Sequence, residues 1–192
     1  QIRIGWIRDY GEGCMTERIS WYVMRTVLGK EQEACALVEK KIDQSLWECC
    51  RILKKQQLFR TQGRYLLCRK EMFPGYIFVE TRFPGELAEE LQKARQFPQL
   101  IGSGRAELVS IEPEDLRFLI NVCGRKLAQD MKLSTVEVDE KGQVKSAAGV
   151  LAPYLNQITR QRLRHRYVMA RVQLFNRQEE VLFGIRMEGD PA

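Results

Sequence analysis

Four arginines recur at every second position from Arg160 to Arg166, and Tyr167 follows them directly. Alternate residues of an extended strand share a face, so these guanidinium groups would project together and repel one another unless an anion neutralises them. In a tight loop they would instead fan out around its tip. Arginine binds phosphate, reads guanine edges and stacks on bases. We therefore predict RNA contact by this basic segment, namely Arg160, Arg162, Arg164, His165, Arg166 and Tyr167.

An alternative interpretation makes the basic segment a solvated loop whose arginines pair with Glu179, Glu180 or Glu188. No acidic residue lies beside the segment in the sequence, which favours an external anion. The formal charge of +6 and the isoelectric point near 9.1 also suit an acidic partner such as nucleic acid.

Residues for catalysis or metal binding do not come together in the sequence. Nucleophilic catalysis needs a base beside the nucleophile, and the one histidine, His165, stands between two arginines. The six cysteines form no C-x-x-C pair, so they do not supply the four close ligands of a structural zinc site. We expect no enzyme activity, no cofactor and no metal, and we expect reduced thiols.

A second feature is aromatic and lies in one turn and the strand that follows it. Phe73 precedes a Pro-Gly turn, and Tyr76 and Phe78 alternate with Ile77 and Val79 in the most convincing strand of the sequence. An aromatic strand of this kind is usually buried in the core of a domain. A small sheet with helices on one side, however, leaves one face uncovered, so the alternation leaves open both a core and a partner surface.

The elements that must position these residues divide the chain in two. The first part interleaves strands and helices. The predicted strands are Trp21–Met24, Tyr76–Val79 and Leu100–Ile101, and a hairpin is predicted with its turn at Gly63. The predicted helices are 31–45, 86–95 and 112–122. This pattern predicts an α+β domain with helices packed on a small antiparallel sheet.

The second part has short β-rich runs at residues 136–138, 167–172 and 181–185, with turns between them, and predicts a small all-β barrel. We assign 19–125 to the first domain, 126–134 to a linker and 135–192 to the barrel. Residues 1–18 are set apart as an extra N-terminal segment. Because Met15 reads as a natural start, the part before it, Gln1 to Cys14, is expected to be non-native. With no long apolar stretch and no secretory signal, we expect a cytoplasmic monomer without membrane contact.

The order of these motifs resembles the N-terminal domain of NusG-type transcription elongation factors. The resemblance covers about Ile19 to Cys123 and lies in the Trp21-Tyr22-Val23 opening, a following helix, and the run F-P-G-Y-I-F-V-E from Phe73 to Glu80. Beyond the linker, Gly149-Val150-Leu151 resembles a divergent KOW domain in which valine replaces the usual proline. The runs 97–102, 121–124 and 160–166 are most similar to the specialised antiterminator branch, LoaP.

The resemblance implies a binding protein rather than an enzyme. NusG-type N-terminal domains dock an apolar depression on the clamp helices of the largest RNA polymerase subunit and suppress pausing. By motif, this contact falls on Phe73, Tyr76 and Phe78, with Arg25 on the adjoining strand. LoaP-like proteins also recognise a nascent RNA hairpin, which would meet the basic segment. A general elongation factor without RNA preference and a free-standing RNA-binding module remain alternatives.

Overall fold

The computed structural model describes residues 19–97, 100 and 105–190. Two compact units can be separated within it. The first contains the described residues up to Leu53 together with Phe73–Leu116, and the second contains Lys54–Met72 together with the described residues from Arg117 onward. The predicted segment 1–18 and the Gly102-Ser103-Gly104 turn lie outside the described residues.

The first unit is an antiparallel sheet with helices. Its strands are β1 (Ser20–Arg25), β2 (Cys49–Arg51), β5 (Tyr76–Thr81) and β6 (Leu108–Ser110), in the order β2-β5-β1-β6. Helix α1 (Glu31–Lys41) follows β1, and helix α2 (Pro84–Lys93) follows β5. The boundary between the units falls inside helix α3 (Pro113–Cys123).

The helices bury one apolar side against one face of this sheet. Leu37 and Val38 of α1 and Leu87 and Leu91 of α2 enter the same core as Ile77 and Val79 of β5. Pro84 stands in the first turn of α2, where its missing N–H is not needed. The sheet is thereby fixed with β5 at its centre.

A buried carboxylate holds the turn before β5. Gly75 has φ +86°, a region that favours glycine, and its N–H donates to Glu31 Oε1 at 2.5 Å. Thr26 N donates to the Gly75 carbonyl at 2.7 Å, which ties the turn to the end of β1. Glu31 is only 2% exposed, so helix α1 positions the Phe-Pro-Gly-Tyr turn through this contact.

The second unit begins with a long hairpin of β3 (Lys54–Thr61) and β4 (Arg64–Glu71). Its turn residues Gln62 and Gly63 have φ of 47° and 78°, the left-handed pair that matches strand twist in two-residue hairpins. The turn predicted at Gly63 is confirmed. Leu66 and Leu67 of β4 are 52% and 45% exposed.

The second unit also contains a five-stranded sheet. Its strands are β7 (Ser134–Val138), β8 (Val144–Ala148), β9 (Ile158–Arg162), β10 (Tyr167–Leu174) and β11 (Arg177–Arg186). Their order is β8-β7-β11-β10-β9, and the pairs are antiparallel except β7 with β11, which is parallel. Gly149 turns the chain at φ +94°, and the nearby Leu151 N donates to the buried Ser134 Oγ at 3.0 Å.

The hairpin is joined to this sheet along strand β3. Gln56 N donates to the Met131 carbonyl, and Met131 N donates to the Lys54 carbonyl, both at 2.8 Å. At Gly184 of β11 a Cβ atom would lie 2.2 Å from the Gln56 carbonyl oxygen, so the two backbones approach as closely as only glycine permits. The hairpin is thus part of the unit that holds the basic segment.

The predicted fold class is confirmed: an α+β part with a small antiparallel sheet precedes an all-β part. Some details differ. Helix α1 ends at Lys41 and is followed by a 3₁₀ turn, and Leu100 is helical rather than in a strand. The domain limits 19–125 and 135–192 remain a prediction, although contacts group residues 54–72 and 117–134 with the C-terminal part. Among the described helices, none is long and apolar enough to cross a membrane.

Candidate nucleic-acid interface

Strand β9 carries the first two arginines of the basic segment on one face. Arg160 and Arg162 are exposed and lie across from Met169 and Tyr167 of β10 at the edge of the sheet. Gln161, between them, points the other way and donates to the Gly142 carbonyl at 3.0 Å. Both arginines are therefore presented together, as the strand interpretation predicts.

The chain leaves β9 through a 3₁₀ turn at Leu163–His165. Arg164 and His165 are exposed on this turn, and Tyr65 of the hairpin donates its hydroxyl to the Arg164 carbonyl at 3.1 Å. Arg166 then adopts the left-handed conformation at φ 52°. The basic segment is thus part strand and part turn, and its four arginines do not share one face.

Arg166 is held inside the unit by an ion pair. Its guanidinium donates to both carboxylate oxygens of Asp190, at 2.6 and 2.8 Å, and lies 4.2 Å from the centroid of the Tyr65 ring. Hydrogen bonding to Asp190 raises the pKa of Arg166. For Asp190, burial is the largest single effect and opposes ionisation, but the hydrogen bonds from Arg166 and from Met187 N, together with the Arg166 charge, outweigh it and lower the pKa of Asp190. Asp190 is a partner that the sequence interpretation missed, so Arg166 anchors the turn instead of facing solvent.

The other arginines of the basic segment behave differently. Arg160, Arg162 and Arg164 form no ion pair with any residue in the described ranges 19–97, 100 and 105–190. Two of the predicted alternative partners are engaged otherwise: Glu179 pairs with Arg177, and Glu180 accepts from Thr159 at 2.6 Å. The third, Glu188, forms no ion pair with these arginines in the described part of the chain. Three exposed cations therefore remain, two on β9 and one on the turn, and the half-buried Tyr167 lies across from Arg162.

The aromatic residues in the first unit are not an exposed face. Phe73, Tyr76 and Phe78 are 2, 8 and 0% exposed, and the Phe73 and Phe78 rings contact each other at 5.6 Å. The expectation that one face of this strand is uncovered is wrong, because every residue of β5 is buried. Their role in binding a partner stays a prediction.

Arg25 lies at the exposed end of β1, where its Cα pairs with that of Tyr76. It is the member of the predicted polymerase contact that solvent can reach. It therefore offers a test of that contact that leaves the core intact.

The sequence interpretation overlooked the β3–β4 hairpin as a charged element. Residues 54–71 contain six lysines or arginines and one glutamate, with Phe59 and Tyr65 among them. This density of charge with interleaved aromatic residues was a usable signal. Within the described residues, no group of three or more histidine, cysteine, aspartate or glutamate side chains is placed to hold a metal ion.

Comparison with known proteins defines the class. Residues 19–120 match the family model described as "Transcription termination factor nusG". The transcription termination/antitermination protein NusG of Thermus thermophilus is 24% identical over 173 residues, which cover 85% of this chain and 94% of that protein. A solved structure, described as concerning domain interaction in Thermotoga maritima NusG, was also matched. The superposition covers 87% of this chain and 94% of the Thermotoga maritima chain, with 18% sequence identity and a TM-score of 0.44.

A small α+β sheet unit with this family match defines a transcription factor rather than an enzyme. The chain belongs to the NusG family, since the match covers more than half of its length.

Proposed function

We propose that this protein is a LoaP-like processive antiterminator in the cytoplasm, acting as a monomer. Its first unit binds the clamp helices of the largest RNA polymerase subunit and reduces pausing, and its second unit binds a hairpin in the nascent RNA. The observation that supports this best is a set of three exposed arginines of the second unit, Arg160, Arg162 and Arg164, that form no ion pair with the described part of the chain. If carboxylates lined the basic segment, they would pair with these arginines and leave no charge for an external anion.

The RNA contact is assigned to Arg160, Arg162, Arg164, His165 and Tyr167, with Arg166 as the residue that positions the turn. Arg160 and Arg162 project from one strand edge, so they can meet successive phosphates or a groove of an RNA stem. Arg164 and His165 extend the same surface, and the Tyr167 ring offers a base-stacking face. The roles differ because only Arg166 is already paired.

The polymerase contact is assigned to Arg25 together with Phe73, Tyr76 and Phe78. Because the three aromatic side chains are buried, they support the docking face through its shape, and Arg25 is the member that a partner can contact directly. Arg25 needs no rearrangement. The family match over residues 19–120 supports this placement, since it contains all four residues.

Changing both Arg160 and Arg162 to glutamine is expected to weaken binding to a structured RNA hairpin at least tenfold. Each lost phosphate contact should also lower the slope of log affinity against log salt by about 0.7 to 0.9. Fluorescence anisotropy across a salt series measures both quantities. Arg171→Gln, an exposed arginine on β10, is the matched control. Unchanged affinity and slope in the double variant would refute the RNA contact.

Changing Arg25 to glutamate is expected to reduce retention of the protein on immobilised RNA polymerase without changing its melting temperature. The residue is exposed, so charge reversal disturbs an interface rather than the core. Arg82→Glu, also exposed in the first unit, is the control. Equal retention of both variants would remove Arg25 from the contact. Retention without any hairpin preference would instead indicate a general elongation factor.

A further inference from the structure

A cavity of about 630 Å³ lies within the second unit, between the β3–β4 hairpin and the turn that follows β9. Its size is within the range of pockets that hold small ligands or nucleotides. The hairpin provides Lys55, Arg60 and Lys70, and the turn provides Arg164 and His165. The cavity therefore joins one end of the basic segment to an element far from it in sequence.

The charge of the lining is strongly positive. Four of its side chains are lysine or arginine, and one, Glu71, is acidic. Lys55 and Lys70 are Cα partners across the β3–β4 ladder, so two like charges stand directly opposite each other. Such a pair destabilises a hairpin unless something compensates. An anion in the cavity would compensate both lysines at once.

The environment of Lys55 supports the same conclusion. Burial, with a contribution from the charge of Lys70, lowers the pKa of Lys55 to about 8. A lysine that loses part of its charge near neutral pH has no sufficient counter-ion. The position is thus unfavourable for the free protein and favourable for an anionic ligand.

Aromatic rings and a rigid turn complete the site. Lys70 Nζ lies 4.1 Å from the centroid of the Phe59 ring, a cation–π contact between two residues that both line the cavity. Tyr167 also lines the cavity. The Tyr65 hydroxyl binds the Arg164 carbonyl, and Arg166 packs over the Tyr65 ring, so the turn and the hairpin are fixed to each other. Cations beside aromatic faces are typical of sites for nucleic-acid backbones.

We propose that this cavity binds the phosphate backbone of RNA, with Lys55 and Lys70 as paired phosphate ligands and Arg164 linking the site to the arginines of β9. The inference rests on the proposed RNA binding and extends it, because the RNA contact then spans both the hairpin and the five-stranded sheet. Phosphate contacts of this kind fix the position of the RNA, while the arginines of β9 remain available for its bases.

The test uses the full chain and a fluorescein-labelled RNA stem-loop of defined sequence. Changing both Lys55 and Lys70 to glutamine is expected to weaken binding at least tenfold and to lower the salt slope by about 1.4 to 1.8, as for two lost phosphate contacts. Lys145→Gln, exposed on β8 of the same unit, is the control. Circular dichroism confirms that each variant remains folded.

The outcomes separate the two proposals. If the wild type binds the stem-loop and the double lysine variant binds as well as the control, the cavity proposal is overturned and RNA binding through β9 stands. If the wild type does not bind, both are overturned. Equal binding of the corresponding DNA stem-loop through the same lysines would overturn the assignment to RNA.

Proton uptake gives an independent measurement. Near pH 8 the Lys55 side chain of the free protein is only partly protonated. A bound phosphate should raise the pKa of Lys55, so RNA binding at that pH should take up a fraction of a proton. Calorimetry in two buffers of different ionisation enthalpy measures the uptake. Lys55→Gln should abolish it, although Arg60, Lys70, Glu71, Arg164 and His165 still face the cavity. Undiminished uptake in the variant would argue against Lys55 as the ligand.

Discussion

Replacing Phe78 with alanine is expected to lower the free energy of unfolding by about 3 to 5 kcal/mol. The side chain is fully buried on the central strand β5, which pairs with β1 on one side and β2 on the other, and its ring contacts that of Phe73. Its removal leaves a cavity that two flanking strands prevent from collapsing. A loss of this size is a large fraction of the stability of a small protein. Urea denaturation followed by circular dichroism measures it.

Leu28→Ala is the matched control, because that leucine is 68% exposed and should change stability by less than about 0.5 kcal/mol. The comparison matters for function. A Phe78→Ala variant that no longer binds polymerase would have lost its fold rather than a contact, so only Arg25 variants can test the interface directly. An effect of Phe78→Ala as small as that of Leu28→Ala would contradict the buried position.

Gly184→Ala is expected to destabilise the second unit by about 1 to 3 kcal/mol or more, the usual cost of overpacking. The added Cβ would lie 2.2 Å from the Gln56 carbonyl oxygen and 2.8 Å from Leu133 Cδ2, and the first of these is backbone that cannot turn aside. The hairpin must therefore move away from β11. Amide hydrogen exchange of residues 54–71, before and after the substitution, follows this movement.

Gly85→Ala provides the control for this substitution. A Cβ at Gly85 meets nothing within 4 Å, and the residue lies in α2, where alanine is the better helix former. It should leave stability unchanged or raise it slightly. Faster exchange in the hairpin only for Gly184→Ala would confirm the close approach, and equal exchange in both variants would exclude it.

Local signals in the sequence were sufficient for several elements. The hairpin turn followed from Gly63, the end of α3 from Gly124, and β11 from its apolar run. Strand β8 was missed because Val144–Ala148 is mostly polar or small and shows no apolar alternation. For β9, Ile158–Arg162, the alternating arginines left both a strand and a loop open. Their strand character comes from pairing with β7 and β10, which is a tertiary effect.

The candidate site depended on contacts that sequence spacing does not show. Asp190 lies 24 residues after Arg166, in a turn that carries no signal of its own, yet it removes that arginine from the exposed cluster. Lys55 and Lys70 became relevant only once the hairpin register placed them opposite each other. For β5, alternation gave the two faces correctly, but it could not tell that both are covered.

The grouping of the hairpin with the C-terminal strands affects how fragments should be made. A fragment that starts at Leu133 contains the whole five-stranded sheet and the basic segment, but it lacks Lys55, Lys70 and Tyr65. Its RNA affinity would therefore report β9 and the turn alone. Comparing it with the full chain measures what the hairpin adds.

The close approach of Gln56 to Gly184 also sets an order of events during synthesis. The two residues are about 130 positions apart, and at about 5 to 20 residues per second the ribosome needs roughly 6 to 26 seconds to make the intervening chain. For that interval the hairpin exists without strand β11, on which it packs at Gly184. The completed pocket can exist only after Leu182 of β11, which lines it, has been translated.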